Sequence, residues 1–200
     1  MDKPAPVDYP VHELISSRWS PRAFDDRNVP ALEICSLLEA ARWAASCFNE
    51  QPWRFIVGTK AQGEPYEKIL STLIQFNRSW AKAAPVLMLG VANKNFEHNG
   101  KTNAHAIYDL GQAVSSMMIE ATARGLVAHQ MAGFDAKKAA EIFEVPKDHK
   151  VIVAIAIGYP GEVSTLSDKL AEREQASRER KPLSEIVFGT RFGEEAPLVD

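Results

Sequence analysis

The chain has 200 residues, of which 46% are hydrophobic and 24% are charged, values that are ordinary for a globular protein and argue against a disordered chain. This length is sufficient for one domain with a substantial buried core. The 23 basic and 26 acidic residues give a formal net charge of −3, which argues against general nucleic-acid binding because proteins of that class are usually basic.

The sequence shows no targeting, membrane or metal-binding pattern. No apolar segment follows the N-terminal residues, and the longest apolar run, 151–157, is far shorter than a membrane-spanning helix. The two cysteines, Cys35 and Cys47, are too few for a disulfide framework. The five histidines are scattered, and no zinc-protease, P-loop or nucleophile-elbow motif is present. We expect a cytoplasmic protein with no metal site, no membrane segment and no nucleic-acid partner.

Hydrophobic periodicity predicts helices and strands that follow one another along the chain. Helical spacing of apolar residues occurs in five segments: 11–17, 32–46, 66–76, 104–124 and 136–143. Apolar and β-branched runs predict four strands: 53–58, 85–92, 126–131 and 151–157. With no internal repeat and no Gly/Ser-rich linker, the pattern indicates a single α+β domain, 1–200, with about four strands and five or six helices.

Three further segments complete the predicted organisation. Residues 1–10 are a loose, proline-rich lead-in, and the polar residues 93–103 are predicted to form a mobile loop. Residues 166–200 form a C-terminal arm. Within this arm a charge-dense stretch, in which Glu174 and Arg178 are spaced i,i+4, is interpreted as a solvated helix face or exposed segment.

The segment from residue 18 to residue 22 reads Arg-Trp-Ser-Pro-Arg. Alternate side chains of an extended chain share one face, so Arg18, Ser20 and Arg22 would point in the same direction. Two guanidinium groups and a hydroxyl suit a phosphate monoester, because arginine binds such oxygens in a bidentate manner. The alternative is a pair of surface arginines in a loop.

A second polar segment, 46–53, lies between a predicted helix and a predicted strand and reads SCFNEQPW. Its side chains and loop N–H groups could face a polar, planar ligand. The alternative is a helix end followed by a turn.

Taken in order, these segments resemble the nitroreductase family of flavin enzymes. The opening Arg-x-Ser-x-Arg segment is similar to that of the family, and residues 44–53 resemble its motif Ala-Pro-Ser-x-x-Asn-x-Gln-Pro-Trp. Four later segments add to the similarity: 108–113, 125–135, 154–160 and 182–188. The resemblance therefore covers most of the chain, from about Arg18 to Phe192.

The resemblance implies an α+β fold, nitroreductase-like, with a central mixed or antiparallel sheet flanked by helices and a homodimer that binds FMN at the subunit interface. It implies an enzyme that passes a hydride from NAD(P)H through flavin N5 to a nitroaromatic, quinone or similar small-molecule acceptor in a ping-pong cycle. Since the flavin carries the chemistry, no catalytic side chain is expected. The alternatives are another reaction on this fold (reductive dehalogenation or dehydrogenation of a small metabolite), a non-enzymatic FMN-binding or sensor protein, and a cofactor-free interaction domain.

The resemblance also implies which residues contact FMN. Arg18, Ser20 and Arg22 would hold the phosphate, with Arg191 as a third cation, and Asn77 would contact the ribityl chain or ring edge. Ser46, Cys47 and Asn49 would come from the other subunit, and the backbone of 131–133 would lie near N5. The full set comprises Arg18, Trp19, Ser20, Arg22, Ala45, Ser46, Cys47, Asn49, Asn77, Met131, Ala132, Gly133 and Arg191.

Three positions depart from the family pattern. Ala45 stands where the family has Pro, Cys47 where Ser is common, and Ala132 where better-known members have Glu. A backbone contact at Ala132 would survive this change, whereas a carboxylate contribution would not. We expect Cys47 to be a small packed residue and not a redox-active thiol.

Overall fold

The computed structural model describes residues 3–199 of the chain. Its strands are β1 (Trp53–Thr59), β2 (Val86–Asn93), β3 (Val127–Met131) and β4 (His149–Gly158). The α-helices in the described residues are α1 (Glu13–Ser17), α2 (Ala31–Arg42), α3 (Glu64–Thr72), α4 (Gln75–Ala81), α5 (Ala106–Ala123), α6 (Ala136–Ile142) and α7 (Asp168–Gln175). The four predicted strands are confirmed. Residues 1, 2 and 200, which belong to the predicted lead-in and arm, lie outside the described residues.

The four strands form one sheet in the order β1-β2-β4-β3, and every neighbouring pair is antiparallel. The expectation of a central sheet flanked by helices is therefore confirmed in its antiparallel form. Within residues 3–199, no helix combines the length and the hydrophobicity that crossing a bilayer requires.

Helices cover both faces of this sheet. Because side chains alternate along a strand, β2 presents Val86 and Met88 to one face and Leu87 and Leu89 to the other. The first face packs against α2 and α5, and we call it the α5 face. The second packs against α3, α4, α6 and α7, and we call it the α4 face. Burial on both faces explains why β2 has no polar side chain from Val86 to Ala92.

The helix predicted at 66–76 is wrong as a single element, because the chain forms α3 and α4 with a break between them. Leu73 and Ile74 adopt extended backbone angles, with ψ of 140° and 154°. Leu73 forms a β-bridge with Phe134, and the Ile74 N–H donates to the Gly133 carbonyl at 3.2 Å. Pairing with the segment after β3 therefore overrides the helical spacing. Helix α2 also ends earlier than predicted, at residue 42 and not near residue 46.

The interpretation of the arm as a solvated segment is wrong for Glu174 and Arg178. Glu174 on α7 is only 1% exposed. Arg178 does not pair with it but donates to the carbonyl groups of Lys3, Ser16 and Arg18, each at 2.7 Å. The arm is thus fastened to the N-terminal part of the chain.

The polar segment 93–103 has a defined backbone arrangement. The Lys94 N–H donates to the Asp148 carbonyl and the Phe96 N–H to the Lys101 carbonyl, both at 2.8 Å. The mobility expected for this segment stays a prediction.

Candidate functional site

The predicted phosphate-binding residues lie on a short extended segment that follows α1. The Arg18 guanidinium donates to the Ser20 hydroxyl at 3.4 Å, so the structure brings these two side chains together. Burial, reinforced by the positive charges of Arg178 and Arg180, lowers the pKa of Arg18. Arg18, Arg178 and Arg180 also border a groove of about 600 Å³ between the lead-in and the arm. Cations held this close to one another favour an anionic ligand.

Arg22, at the other end of this segment, is fixed by the buried carboxylate of Glu174. One carboxylate oxygen accepts the N–H groups of Arg22 and Ala23, at 2.6 and 3.1 Å. The other lies 3.7 Å from the Arg22 guanidinium. The Arg22 Nε–H is buried and has no hydrogen-bond partner within residues 3–199. Because a buried donor without a partner is costly, this N–H is suited to an acceptor supplied by a ligand.

His129 on β3 contacts the same segment through the Pro21 carbonyl. Its Nδ1 lies 2.9 Å from the Pro21 carbonyl. A carbonyl can only accept, so we assign the proton to Nδ1. The imidazole packs against Trp80 with ring centroids 4.6 Å apart. Burial lowers the pKa of His129 to about 4, and the positive charge of Arg22 acts in the same direction. The ring is therefore neutral in the folded protein at neutral pH.

This neutral His129 should make the folding free energy pH-dependent. Above about pH 6.5 the imidazole is neutral in both states, and below it the unfolded chain binds a proton that the folded chain rejects until about pH 4. Stability should therefore fall by about 2 kcal/mol from this residue alone between pH 7 and pH 5. Urea unfolding at both pH values should show a smaller fall for His129→Gln, whereas exposed His105→Gln should behave like wild type. Equal pH dependence in all three proteins would contradict the assignment.

Residues 45–51 form a strained turn and not a simple helix end. Phe48, Asn49 and Gln51 all have positive φ, at 54°, 56° and 51°. Such angles persist only where surrounding contacts hold them. The Ser46 hydroxyl accepts from the Gln51 N–H at 3.0 Å, and the Cys47 N–H donates to the Asp109 carboxylate at 3.1 Å.

Asp109 is a functional candidate that the sequence reasoning missed. It lies in the first turn of α5, is 2% exposed, and anchors the strained turn through Cys47. The available signal was an acidic residue on the apolar side of the long helix. Cys47 itself is half-buried.

Asn77 and the residues after β3 are brought together on the α4 face. The Asn77 side-chain amide donates to the Gly133 carbonyl at 3.0 Å. A Cβ at Gly133 would lie 2.5 Å from the same amide nitrogen and 2.7 Å from Ile74, so only glycine fits this contact without displacement. Met131 is buried, whereas Ala132 is exposed.

The remaining predicted residues make contacts outside these groups. Arg191 is exposed and pairs with Glu194 at 3.9 Å, so its role at the phosphate stays a prediction. The ring of Trp19 lies 5.1 Å from the Lys3 ammonium group. The Ala45 carbonyl accepts from Gln112 at 3.5 Å. Arg178 and Arg180, which the sequence analysis did not select, are the additional cations near Arg18.

The candidate site residues of one chain lie on opposite faces of its sheet. Met131 packs on the α4 face, and the pairing of His129 with Ala156 places the imidazole on the same face, which links the phosphate segment to the turn at Gly133. The strained turn is fastened to α5 through Asp109. Within residues 3–199 there is no cluster of three or more His, Cys, Asp or Glu side chains that could hold a metal ion.

Comparison with known proteins identifies the family. The model of the nitroreductase family matches residues 15–159, which is more than half of the chain. The chain belongs to the nitroreductase family. The matched range includes the phosphate segment, the strained turn, Asn77 and the turn at Gly133.

The chain is also similar to individual proteins. An uncharacterized 15.4 kDa protein of Mycolicibacterium smegmatis is 35% identical over 147 residues, which cover 70% of this chain and 97% of that protein. The major NAD(P)H-flavin oxidoreductase of Aliivibrio fischeri is 26% identical over 195 residues, covering 76% and 88%. A crystal structure described as an oxidoreductase containing FMN superimposes with a TM-score of 0.90 at 35% identity and covers 96% of this chain and 97% of its own.

Proposed function

We propose that this nitroreductase-family chain is an FMN-dependent oxidoreductase that passes a hydride from NAD(P)H to a nitroaromatic, quinone or similar small-molecule acceptor. The observation that carries the proposal is the group of cations formed by Arg18, Arg178 and Arg180, together with the buried Arg22 Nε–H, which finds no acceptor within residues 3–199. The FMN in the 35% identical crystal structure and the activity named for the Aliivibrio fischeri relative support it.

The residues present fit an FMN phosphate. A phosphate monoester carries nearly two negative charges at neutral pH and has three acceptor oxygens. Arg18, Ser20 and Arg22 offer two guanidinium groups and a hydroxyl on one extended segment. The Arg22 Nε–H, which has no partner within residues 3–199, would gain an acceptor. The phosphate would also offset the repulsion that Arg178 and Arg180 add to burial in lowering the pKa of Arg18.

The turn at Gly133 would meet the ring system through its backbone. The carbonyl of Ala132 accepts from Phe134 and that of Gly133 from Asn77, so the carbonyl groups are engaged within the chain. The N–H groups of Ala132 and Gly133 are then the donors of this turn that remain to face a cofactor, since the Phe134 N–H is already engaged, and Ala132 contributes no carboxylate there. When bound, FMN would supply the redox chemistry, with N5 as the atom for hydride transfer from NAD(P)H to the acceptor in a ping-pong cycle.

We infer that two chains build each site. The phosphate segment and Asn77 lie with the α4 face, whereas the turn at 45–51 is fastened to α5 across the sheet. Helix α5 also exposes apolar residues, since Ile107 is 50% and Tyr108 67% exposed. A second copy could cover this surface and bring its own turn to the site. Light scattering should give twice the 22.1 kDa chain mass; a monomer that still holds FMN would contradict the shared site.

Steady-state kinetics tests the proposed activity. Oxidation of NADH or NADPH should depend on a quinone or nitroaromatic acceptor. Varying both substrates should give parallel double-reciprocal lines, because donor and acceptor would occupy the same position in turn. Intersecting lines would contradict the ping-pong cycle, and FMN binding without turnover would favour the sensor alternative. Reductive dehalogenation or dehydrogenation of a small metabolite on this fold remains the alternative reaction. The cytoplasmic location remains a prediction.

A further inference from the structure

The C-terminal arm holds both ends of the phosphate segment. Arg178 donates to the Arg18 carbonyl at 2.7 Å, and the Glu174 carboxylate accepts the Arg22 N–H at 2.6 Å. The lead-in also contacts the arm, since the Lys3 ammonium group donates to the Glu174 carbonyl at 2.5 Å. Two arm residues spaced i,i+4 therefore fix the backbone at both guanidinium-bearing positions.

Glu174 also constrains the Arg22 side chain. The carboxylate lies 3.7 Å from one guanidinium nitrogen, and the guanidinium stands 6.0 Å from the centre of the Trp80 ring. Trp80 is in turn packed against His129. The guanidinium thus has both an aromatic ring and a carboxylate as neighbours, which restricts the directions in which it can donate.

The bonding of this cluster is incomplete within residues 3–199. The second carboxylate oxygen of Glu174, the Nε–H of Arg22 and the Nε1–H of Trp80 are all buried without hydrogen-bond partners. A hydrophobic residue at position 174 would avoid the cost of burying a charge. A buried carboxylate that faces Arg22 at 3.7 Å and has bonding capacity left is suited to orienting that guanidinium toward a ligand.

We propose that Glu174 is a positioning residue of the cofactor-phosphate site, acting through Arg22, and that docking of the arm and binding of FMN stabilise each other. The inference rests on the proposed function in one respect, namely that Arg22 binds the FMN phosphate. By linkage, a cofactor that requires the docked arm must also hold the arm in place.

The test is a double-mutant cycle on FMN affinity, measured by quenching of FMN fluorescence with apoprotein. Glu174→Gln keeps an oxygen that can accept the two backbone N–H groups but removes the charge facing Arg22. We expect FMN affinity to fall about tenfold, because the Arg22 guanidinium would lose the charged group that orients it. In the Arg22→Ala background the same change should have no further effect. Glu172→Gln removes an equal charge from an exposed position on α7 and should leave affinity unchanged.

Each other outcome has a definite meaning. If Arg22→Ala weakens binding but Glu174→Gln has no effect, or the two effects add, the positioning role is wrong and the phosphate assignment stands. If Arg22→Ala leaves affinity unchanged, both are wrong. Should Glu174→Gln fail to fold, Glu174→Asp keeps the charge with a shorter reach and should show an intermediate loss; full affinity would overturn the role.

Limited proteolysis of the wild-type protein provides a measurement without any variant. Saturating FMN should slow tryptic cleavage after Arg180 in the arm by at least about tenfold, whereas cleavage after exposed Lys137 on α6 should change little. Equal protection at both positions, or none at Arg180, would overturn the coupling between arm and cofactor.

Discussion

Replacing Arg18 and Arg22 together with alanine should release FMN. A hydrogen bond to a charged group contributes roughly 1.5–3 kcal/mol. Losing both guanidinium groups should therefore weaken FMN binding roughly 10²- to 10⁴-fold. The purified variant should be colourless, and titration with added FMN should give the reduced affinity directly.

The matched control removes two other arginines. At the surface, Arg27 forms an ion pair with Asp25, and Arg124 forms ion pairs with Glu33 and Glu120. Replacing both with alanine removes the same charge and should leave FMN occupancy unchanged, because exposed pairs contribute little. Full occupancy in the Arg18/Arg22 variant would show that the phosphate lies elsewhere.

Gly161→Ala should be strongly destabilising. A Cβ at this position would lie 2.4 Å from the carbonyl carbon of Phe24, 2.6 Å from its oxygen and 2.8 Å from the Asp25 nitrogen. These are backbone atoms, so the whole segment must move. Overpacking of this kind costs roughly 1–3 kcal/mol, or more where the backbone shifts. A chain of this size should then lose roughly 5–10 °C in Tm, measured by calorimetry.

The same substitution should weaken FMN binding, because Phe24 follows Arg22 by two residues and the Gly161 N–H donates to the Ala23 carbonyl at 3.0 Å. Lys137→Ala on α6 is the control, since this side chain is exposed and alanine favours the helix. Its Tm should be unchanged or slightly higher. A Tm for Gly161→Ala within a degree of wild type would contradict the packing described here.

Local patterns predicted most of the framework. The apolar run of β2 and the helical spacing in α5 are intrinsic to those segments, and both elements form where the pattern places them. The break at Leu73 and Ile74 could not be predicted, because it depends on pairing with the distant residues Gly133 and Phe134. The spacing of apolar residues in 66–76 predicts a helix that continues through Leu73 and Ile74.

The candidate site was also predictable only where its residues form a local motif. Motif residues such as Arg18, Ser20 and Arg22 were predicted because their chemistry and spacing are visible in a five-residue window. Glu174 was not, since its contact with Arg22 spans 152 residues of sequence and a charge-dense helix is typical of a solvated surface. Asp109 was missed for a similar reason, with its contact to Cys47 spanning 62 residues.

The most direct test of the cofactor assignment is the visible absorbance spectrum of the purified protein, with chromatographic identification of the chromophore released on denaturation. We expect the two absorption bands of an oxidised flavin and FMN at about one per chain. A colourless protein that also fails to take up added FMN would contradict the cofactor site, and the cofactor-free interaction domain would then become the leading interpretation.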